Sequence, residues 1–167
     1  MACMTDDSGL PEGRFSGRLE FEQLIRLSMA KAAEQGWRDI IFCDSTFEDW
    51  PLGERAVAQT LHDWSASGRK LTLLAKNYDA IVLKHARFVT WRRTWSHIVD
   101  CRSNAAVATD DMPSALWSTG WVFQRVDRVR CTGFSGSEPG RRIALKERLD
   151  ACLKLSSPAF AATTLGL

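Results

Sequence analysis

The hydrophobic positions of the chain follow two patterns that alternate along its length. From Leu19 to Gly36 the apolar side chains recur at the spacing of one helix face, which predicts a first helix that ends at the glycine. The runs 39–44 and 70–75 are short, continuous and apolar, a pattern typical of strands buried on both faces. A helix between two such strands predicts a parallel pair joined by a right-handed crossover.

The rest of the chain continues this alternation. A second helix is predicted to begin near Asp49 to Pro51, because proline is favoured in the first helical turn. A third helix is predicted from Asn77 or Asp79 to about Arg93. The remaining predicted elements are strands over residues 95–101, 116–126 and 128–134, a loop over residues 102–114 and a final helix over residues 143–155.

This order of elements predicts a single α/β domain. Its sheet is expected to be mixed but mostly parallel, with helices flanking both faces. The domain is predicted to span residues 19–155, after a flexible leader at 1–18 and before a tail at 156–167. The length of 167 residues suits one domain. Because no apolar stretch approaches the roughly 20 residues that span a bilayer, no membrane partner is expected.

The five cysteines favour a cytoplasmic protein. Their number is odd and their spacings are wide, with no pair at the spacing of a zinc site. Free thiols in strand-like apolar runs, such as Cys43 and Cys101, are typical of a reducing compartment. The N-terminus also lacks the apolar core of a signal peptide. We therefore expect a cytoplasmic protein with no metal and no other cofactor.

The charges are distributed unevenly between the two halves of the chain. Residues 1–83 carry 9 basic and 13 acidic side chains, a net charge of −4, whereas residues 84–167 carry 13 and 7, a net charge of +6. Such a difference can create a basic face for an anionic partner, or it can make the halves attract each other within one fold. Attraction within the fold is the favoured interpretation, because no run of consecutive basic residues is longer than two.

The first candidate site is a basic stretch in the second half of the chain. Its candidate binding residues are Arg87, Arg92, Arg93, His97 and Arg102, with the aromatic residues Phe88, Trp91 and Trp95 between them. Arginines beside exposed aromatic rings can hold phosphates and stack on bases, which favours nucleic acid or another anionic ligand. The favoured alternative is that the arginines close a helix and that the tryptophans pack in the core.

The second candidate site follows the first predicted strand. Its members are Asp44, Ser45, Glu48 and Asp49. They lie just beyond the carboxyl end of the strand, the edge at which open α/β sheets bind ligands. With His97 or an arginine they would suit a hydrolase or a transferase. The favoured alternative is that they cap the amino end of the next helix, and no metal site is predicted because no partner carboxylate follows the later strands.

Tryptophan is frequent in this sequence, with seven residues. Burial in the core is the favoured interpretation, because the large indole ring contributes most when it is removed from water. An exposed set of tryptophans would instead mark an interface, since tryptophan is enriched where proteins bind each other. A homodimeric protein-interaction module therefore remains as a third alternative for the function of the chain.

Several short segments together carry a resemblance to a known family. They are Asp39–Asp44, Leu71–Ala75, His85–Phe88, Trp95–Val99 and Gly133-Phe134 followed by a basic helix. In this order they make residues 19–155 resemble a phospholipase D-like domain, and more narrowly a group of short bacterial proteins related to that fold. The resemblance implies the fold of enzymes in which a histidine of a His-x-Lys pair attacks phosphorus and the lysine steadies the phosphoryl oxygens.

The chain departs from that family at its catalytic motif. None of the three histidines, His62, His85 and His97, is followed by a lysine two positions later. The region where the motif is expected, residues 112–121, contains no histidine and no lysine. No catalytic residue can therefore be carried over, and phosphodiesterase activity is expected to be absent.

The sequence thus predicts a non-catalytic, phospholipase D-like domain that binds an anionic partner through its basic second half. Nucleic acid and a phosphorylated ligand both suit that charge. Two alternatives stay open: a hydrolase or transferase with a site near Asp44, and a homodimeric interaction module.

Overall fold

The computed structural model describes residues 9–162 of the protein. Within these residues the helices are α1 (Arg18–Gln35), α2 (Arg55–Trp64), α3 (Asp79–Lys84), α4 (Ala86–Thr94) and α5 (Pro139–Lys154). The strands are β1 (Gly13–Ser16), β2 (Asp39–Cys43), β3 (Lys70–Ala75), β4 (Val99–Ser103), β5 (Ser114–Ser118), β6 (Val122–Asp127), β7 (Thr132–Gly136) and β8 (Ser157–Pro158). The first helix, the last helix and the strands β2 and β3 form within a few residues of their predicted positions.

The strands of the described residues form one mixed sheet, in the order β1-β7-β6-β5-β2-β3-β4-β8. The pairs β2–β3 and β3–β4 are parallel, and the other five neighbouring pairs are antiparallel. The α/β class and the mixed sheet are confirmed, but the prediction of a mostly parallel sheet is wrong. The reason is the meander β5–β6–β7, whose connections are too short for a crossover, so that each strand runs against its neighbour.

The central strand β2 is buried on both faces because helices cover both sides of the sheet. Ile40 and Phe42 belong to the larger core cluster, which also holds the buried faces of α1, α2 and α4. Ile41 and Cys43 belong to a second cluster with Leu145 of α5. Flanking helices on both faces are therefore confirmed, and they explain why the strand is apolar throughout instead of alternating.

The sheet extends beyond the predicted domain at both ends. β1 lies within the predicted leader 1–18, where Phe15 packs into the larger core cluster. β8 lies within the predicted tail 156–167 and pairs with β4. Such short strands contain too few positions to show a period, so the ordered sheet starts earlier and ends later than predicted. The predicted leader also includes residues 1–8, and the tail residues 163–167, which lie outside the described residues.

Two predicted elements are each divided in two. The helix predicted to end near Arg93 breaks at His85, whose Nε2 lies 2.8 Å from the carbonyl oxygen of Phe47. The strand predicted over 116–126 is interrupted at Gly120, so that β5 and β6 form an antiparallel pair. Apolar residues continue on both sides of each break, and the pattern alone therefore does not locate it.

The cysteines among the described residues are free thiols. Burial keeps Cys43 and Cys101 in the protonated form. Burial raises the pKa of Cys101 to about 11. Burial also raises the pKa of Cys43 well above its ordinary value, and the adjacent charge of Asp44 adds to the shift. These two thiols behave as small hydrophobic side chains of the core, as predicted, whereas Cys3 lies outside the described residues.

We expect the free energy of unfolding to fall as the pH rises above about 9. In the unfolded chain a thiol loses its proton near pH 8.5, whereas Cys101 keeps its proton up to about pH 11 in the native state. Between these values the unfolded chain binds fewer protons, so stability decreases by up to about 1.4 kcal/mol per pH unit for each such thiol. Urea unfolding under reducing conditions at pH 7 to 10.5 measures this slope. If the stability of a Cys101→Ala variant falls with pH as steeply as that of the wild type, Cys101 does not contribute to this pH dependence.

Candidate functional site

The loop between β2 and α2, residues 44–54, carries all four members of the acidic candidate site. Asp44 directly follows β2, and its side chain is only 2% exposed. Its Oδ2 accepts hydrogen bonds from the backbone N–H groups of Thr46 at 3.2 Å and Phe47 at 2.8 Å. The next helix begins only at Arg55 and has no side-chain cap. The helix-capping interpretation is therefore wrong, because Asp44 satisfies the amides of its own loop.

The other oxygen of Asp44 faces two arginines from β6 and the turn that follows it. Arg125 Nη2 and Arg128 Nη1 each donate to Asp44 Oδ1 at 3.0 Å. Arg125 also pairs with Asp49, and Arg128 donates to the hydroxyl of Ser45 at 3.0 Å. Burial alone would lower the pKa of Arg125, but its hydrogen bond to Asp49 and the two carboxylate charges raise it. These contacts join the acidic half of the chain to the basic half, as the favoured interpretation of the charges expects.

These groups form the base of a polar cleft at the carboxyl end of β2, with a volume of about 330 Å³. Its rim includes Arg18 and the exposed ion pair between Glu48 and Lys84. The hydrogen bond from Lys84 and the charge of its ammonium lower the pKa of Glu48. The acidic site residues thus meet in one cleft, but each carboxylate is already held by a cation. Among residues 9–162, no three His, Cys, Asp or Glu side chains are placed to hold a metal ion.

The members of the basic candidate site do not form one surface patch. Arg92 is only 7% exposed, and its Nη2 donates to the carbonyl oxygen of Phe160 at 3.3 Å. Arg102 on β4 donates to the hydroxyl and the carbonyl oxygen of Ser156, at 2.7 and 3.0 Å. These two arginines hold the segment that follows α5 against the sheet.

A second cavity lies between α2 and α4, and Arg87 is the member of the basic stretch that lines it. This groove has a volume of about 380 Å³. It is lined by His62 of α2 on one side and by Arg87, Trp91 and Trp95 on the other. The indole N–H of Trp91 donates to the hydroxyl of Ser65 at 2.8 Å, which fixes this ring at the base of the groove. We refer to this cavity as the α2–α4 groove.

One unpaired guanidinium lines the α2–α4 groove, and another is exposed on the same helix. Arg87 and Arg93 are exposed on α4, and neither forms an ion pair with any residue between 9 and 162. Arg87 donates to the carbonyl oxygen of Gly53 at 2.8 Å, which steadies the guanidinium beside the groove. His97 is exposed and packs on Trp95, with 5.5 Å between the ring centroids. Of the predicted residues, Arg87 therefore lines the α2–α4 groove, whereas His97 lines a separate cavity with Lys70 and Asp100.

The contribution of α2 to this groove was not predicted. His62 lines the groove directly, and Arg55 lies on the same face of α2, seven residues earlier and two turns away. Arg55 is exposed and also lacks an ion pair within the described part of the chain. The helical spacing of Arg55, Ala58 and His62 was visible in the sequence, but nothing in it places this face beside α4.

The tryptophans are packed in the fold. All seven lie in the described residues and none is exposed. Trp50, Trp64, Trp91 and Trp121 are buried, and Trp37, Trp95 and Trp117 are half-buried. Burial is therefore the correct interpretation, and an interface built on exposed tryptophans has no support.

Comparison with known proteins identifies no family for this chain. No protein-family model matches it, and no curated protein matches it. Among solved structures it is similar to TrmBL2, an archaeal chromatin protein whose structure is described as showing a novel mode of DNA binding. The TM-score is 0.56 at 11% sequence identity, over 87% of this chain and 53% of that chain.

This similarity concerns the fold. The chain spans about half the length of the TrmBL2 chain. The phospholipase D-like resemblance stays a prediction, since neither comparison of the sequence finds a family. Within the described residues no helix is long and apolar enough to cross a membrane.

Proposed function

We propose that this chain is a binding domain that holds a strand of nucleic acid in the α2–α4 groove. The observation that carries the proposal is the combination in one groove of an aromatic lining and the unpaired guanidinium of Arg87, with Arg93 exposed on the same helix. Arg87 and Arg93 have no carboxylate to neutralise them, unlike Arg125 and Arg128 in the polar cleft. An anion that reaches the groove therefore does not have to displace an existing ion pair.

The chemistry of the groove suits the two parts of a nucleotide. Guanidinium groups bind phosphate oxygens through charge-assisted hydrogen bonds, and Arg55 extends the row of cations along α2. Trp95 and His97 form an aromatic pair at one end, where an unpaired base can stack. Stacking requires a base that is free of its partner, so the arrangement favours single-stranded over duplex nucleic acid.

The structural neighbour supports the nucleic-acid version of this proposal. TrmBL2 is a DNA-binding protein, and a chain of similar fold with a basic groove fits a related use. Because fold alone does not determine function, the groove residues carry the argument and the neighbour adds to it.

We expect wild-type protein to bind a fluorescent single-stranded oligonucleotide with an affinity that falls steeply as salt is raised. The double variant Arg87→Gln/Arg93→Gln should bind at least about tenfold more weakly at low salt, and its salt slope should fall by about 1.4, because two phosphate contacts to a single strand are lost. Both side chains are exposed, so the variant should keep its fold. Fluorescence anisotropy across a salt series measures both quantities.

The matched control is Arg130→Gln/Lys154→Gln, which removes the same charge from exposed positions outside the groove. It should retain most of the affinity. Equal losses in the two variants would show that binding follows net charge alone and would remove the groove from the proposal. A duplex of the same sequence, measured in parallel, tests the preference for single strands.

The catalytic alternative has less support. Asp44, the best-placed carboxylate at the end of β2, already accepts four hydrogen bonds, from Arg125, Arg128, Thr46 and Phe47. A nucleophile or general base needs a free lone pair directed at its substrate. The geometry therefore gives Asp44 a structural role.

A further inference from the structure

Among residues 9–162, one edge of the sheet has no further strand paired to it. Its order ends at β1, which pairs with β7 alone. The N–H of Gly17 donates to Cys131 on the β7 side at 3.1 Å, whereas the N–H of Ser16 donates to a carboxylate of α1 at 2.6 Å. Because successive residues of a strand direct these groups to opposite sides, the N–H and C=O of Arg14 point away from β7. We extend the same alternation to Glu12, which immediately precedes β1. An edge of this kind is a template for a further strand.

An apolar groove of about 490 Å³ runs beside this edge, between β1 and the outer face of α1. Leu19 is 80% exposed and Leu27 is 37% exposed, and both line the groove. With Gln23 they repeat every four residues, so they form one stripe along α1. Phe15 and Leu24 also line the groove. Single exposed leucines are ordinary, but a stripe beside an unpaired strand is a continuous surface that a partner can cover.

The open edge is complementary in charge to itself. When β1 pairs antiparallel with β1 of a second copy, Arg14 and Glu12 can lie opposite each other with their backbone groups facing. Two-fold symmetry then repeats the same pair on the other side of the axis. A shift of one strand by two residues in either direction also keeps these backbone groups facing each other. Such a shift places Arg14 opposite Arg14, or Glu12 opposite Glu12. Only the first register gains two cross-strand pairs of opposite charge.

We propose that the chain forms a two-fold homodimer through β1. In this dimer Arg14 of each copy lies opposite Glu12 of the second copy, and the two sheets join into one. The stripes of Leu19, Gln23 and Leu27 on the two α1 helices face each other across the axis and fill the apolar groove. The occupant of the groove is therefore a second copy of this chain, because the edge supplies both members of each charged pair.

Sedimentation equilibrium on the full chain tests the dimer. Wild-type protein should be dimeric, and Leu19→Glu should raise the dimer dissociation constant at least tenfold. Glu12→Arg and Arg14→Glu should each be monomeric alone, because each opposes like charges across the axis. Their equimolar mixture should form a heterodimer, since both cross-strand pairs are again opposite in charge. Arg130→Glu, an equal charge change on the exposed β6–β7 turn, should stay dimeric.

A wild-type chain that is monomeric at every concentration overturns the proposal, and so does an Arg14→Glu variant that dimerises as tightly as the wild type. Glu12 also accepts hydrogen bonds from the backbone N–H and hydroxyl of Ser137, so circular dichroism must confirm that Glu12→Arg is folded. If it is not, Leu19→Glu and Arg14→Glu decide the question, because both replaced side chains are exposed.

Discussion

Replacement of Asp44 by alanine is expected to lower the free energy of unfolding by about 3–5 kcal/mol. The side chains of Asp44 and Arg125 are each only 2% exposed, so water cannot replace the lost contact. Arg125 also donates to Ser114 at 3.1 Å and lies 4.2 Å from the ring centre of Phe21, which fixes its guanidinium in place. The cost arises mainly because a buried charge is left with less compensation.

Urea unfolding of three variants separates the parts of this effect. Asp44→Asn can still accept the hydrogen bonds from the loop amides. The stability that this variant loses therefore measures the contribution of the negative charge of Asp44. Asp44→Leu combined with Arg125→Met removes both buried charges and should recover part of the stability lost in Asp44→Ala. Glu48→Ala breaks an ion pair on the rim and should leave the unfolding midpoint nearly unchanged, because exposed pairs contribute little. If Asp44→Ala costs no more than Glu48→Ala, the polar cleft does not anchor the fold.

The strands that could be predicted are those whose residues face helices on both sides. β3 forms at its predicted bounds, Lys70–Ala75, and β2 ends one residue before its prediction. Their continuous apolar runs reflect burial on both faces, which is a local signal. The pairing of β5 with β2 leaves no such signal, because it depends on contacts between residues more than 70 positions apart.

The error in sheet topology also explains why the polar cleft was incompletely predicted. The acids at the end of β2 were placed correctly at a sheet edge. Their partner Arg125 lies 81 residues away, on a strand that reaches the same edge only because β5 and β6 form an antiparallel pair. In a mostly parallel arrangement nothing brings these residues together. The sequence predicts an arginine or His97 beside Asp44, but Arg125 and Arg128 can be identified as its partners only when the strand directions are known.

The basic stretch shows a different limit of the sequence. Arg92 and Arg93 are neighbours, and on a helix their side chains point about 100° apart. Arg92 therefore enters the packed side of α4, whereas Arg93 lies at the surface. Like charges that are adjacent in the sequence therefore do not share one site, because the helical period places them on two sides of α4 with different roles.

Gly133→Ala is expected to destabilise the protein by more than about 3 kcal/mol, beyond the usual cost of overpacking. A Cβ atom at this position would lie 2.0 Å from the carbonyl oxygen of Gln124 and 2.8 Å from Cα of Arg125. It would also lie 2.8 Å from the ring of Phe15 on β1. Because two of these atoms belong to the backbone of β6, β7 must move away from its neighbour. Gly120→Ala is the matched control, since no atom lies within 4 Å of a Cβ there, and its midpoint should change little.

The displacement caused by Gly133→Ala should reach the polar cleft, because Gly133 is paired with Arg125 in the β6–β7 register. A shift of that backbone moves the guanidinium away from Asp44 and weakens the buried ion pair. The glycine substitution should therefore cost less in an Asp44→Asn background, where the charge of that pair is already lost, than in the wild type. Urea unfolding of the two single variants and the double variant measures this coupling. Strictly additive losses would show that the close packing of β7 and the position of Arg125 are independent.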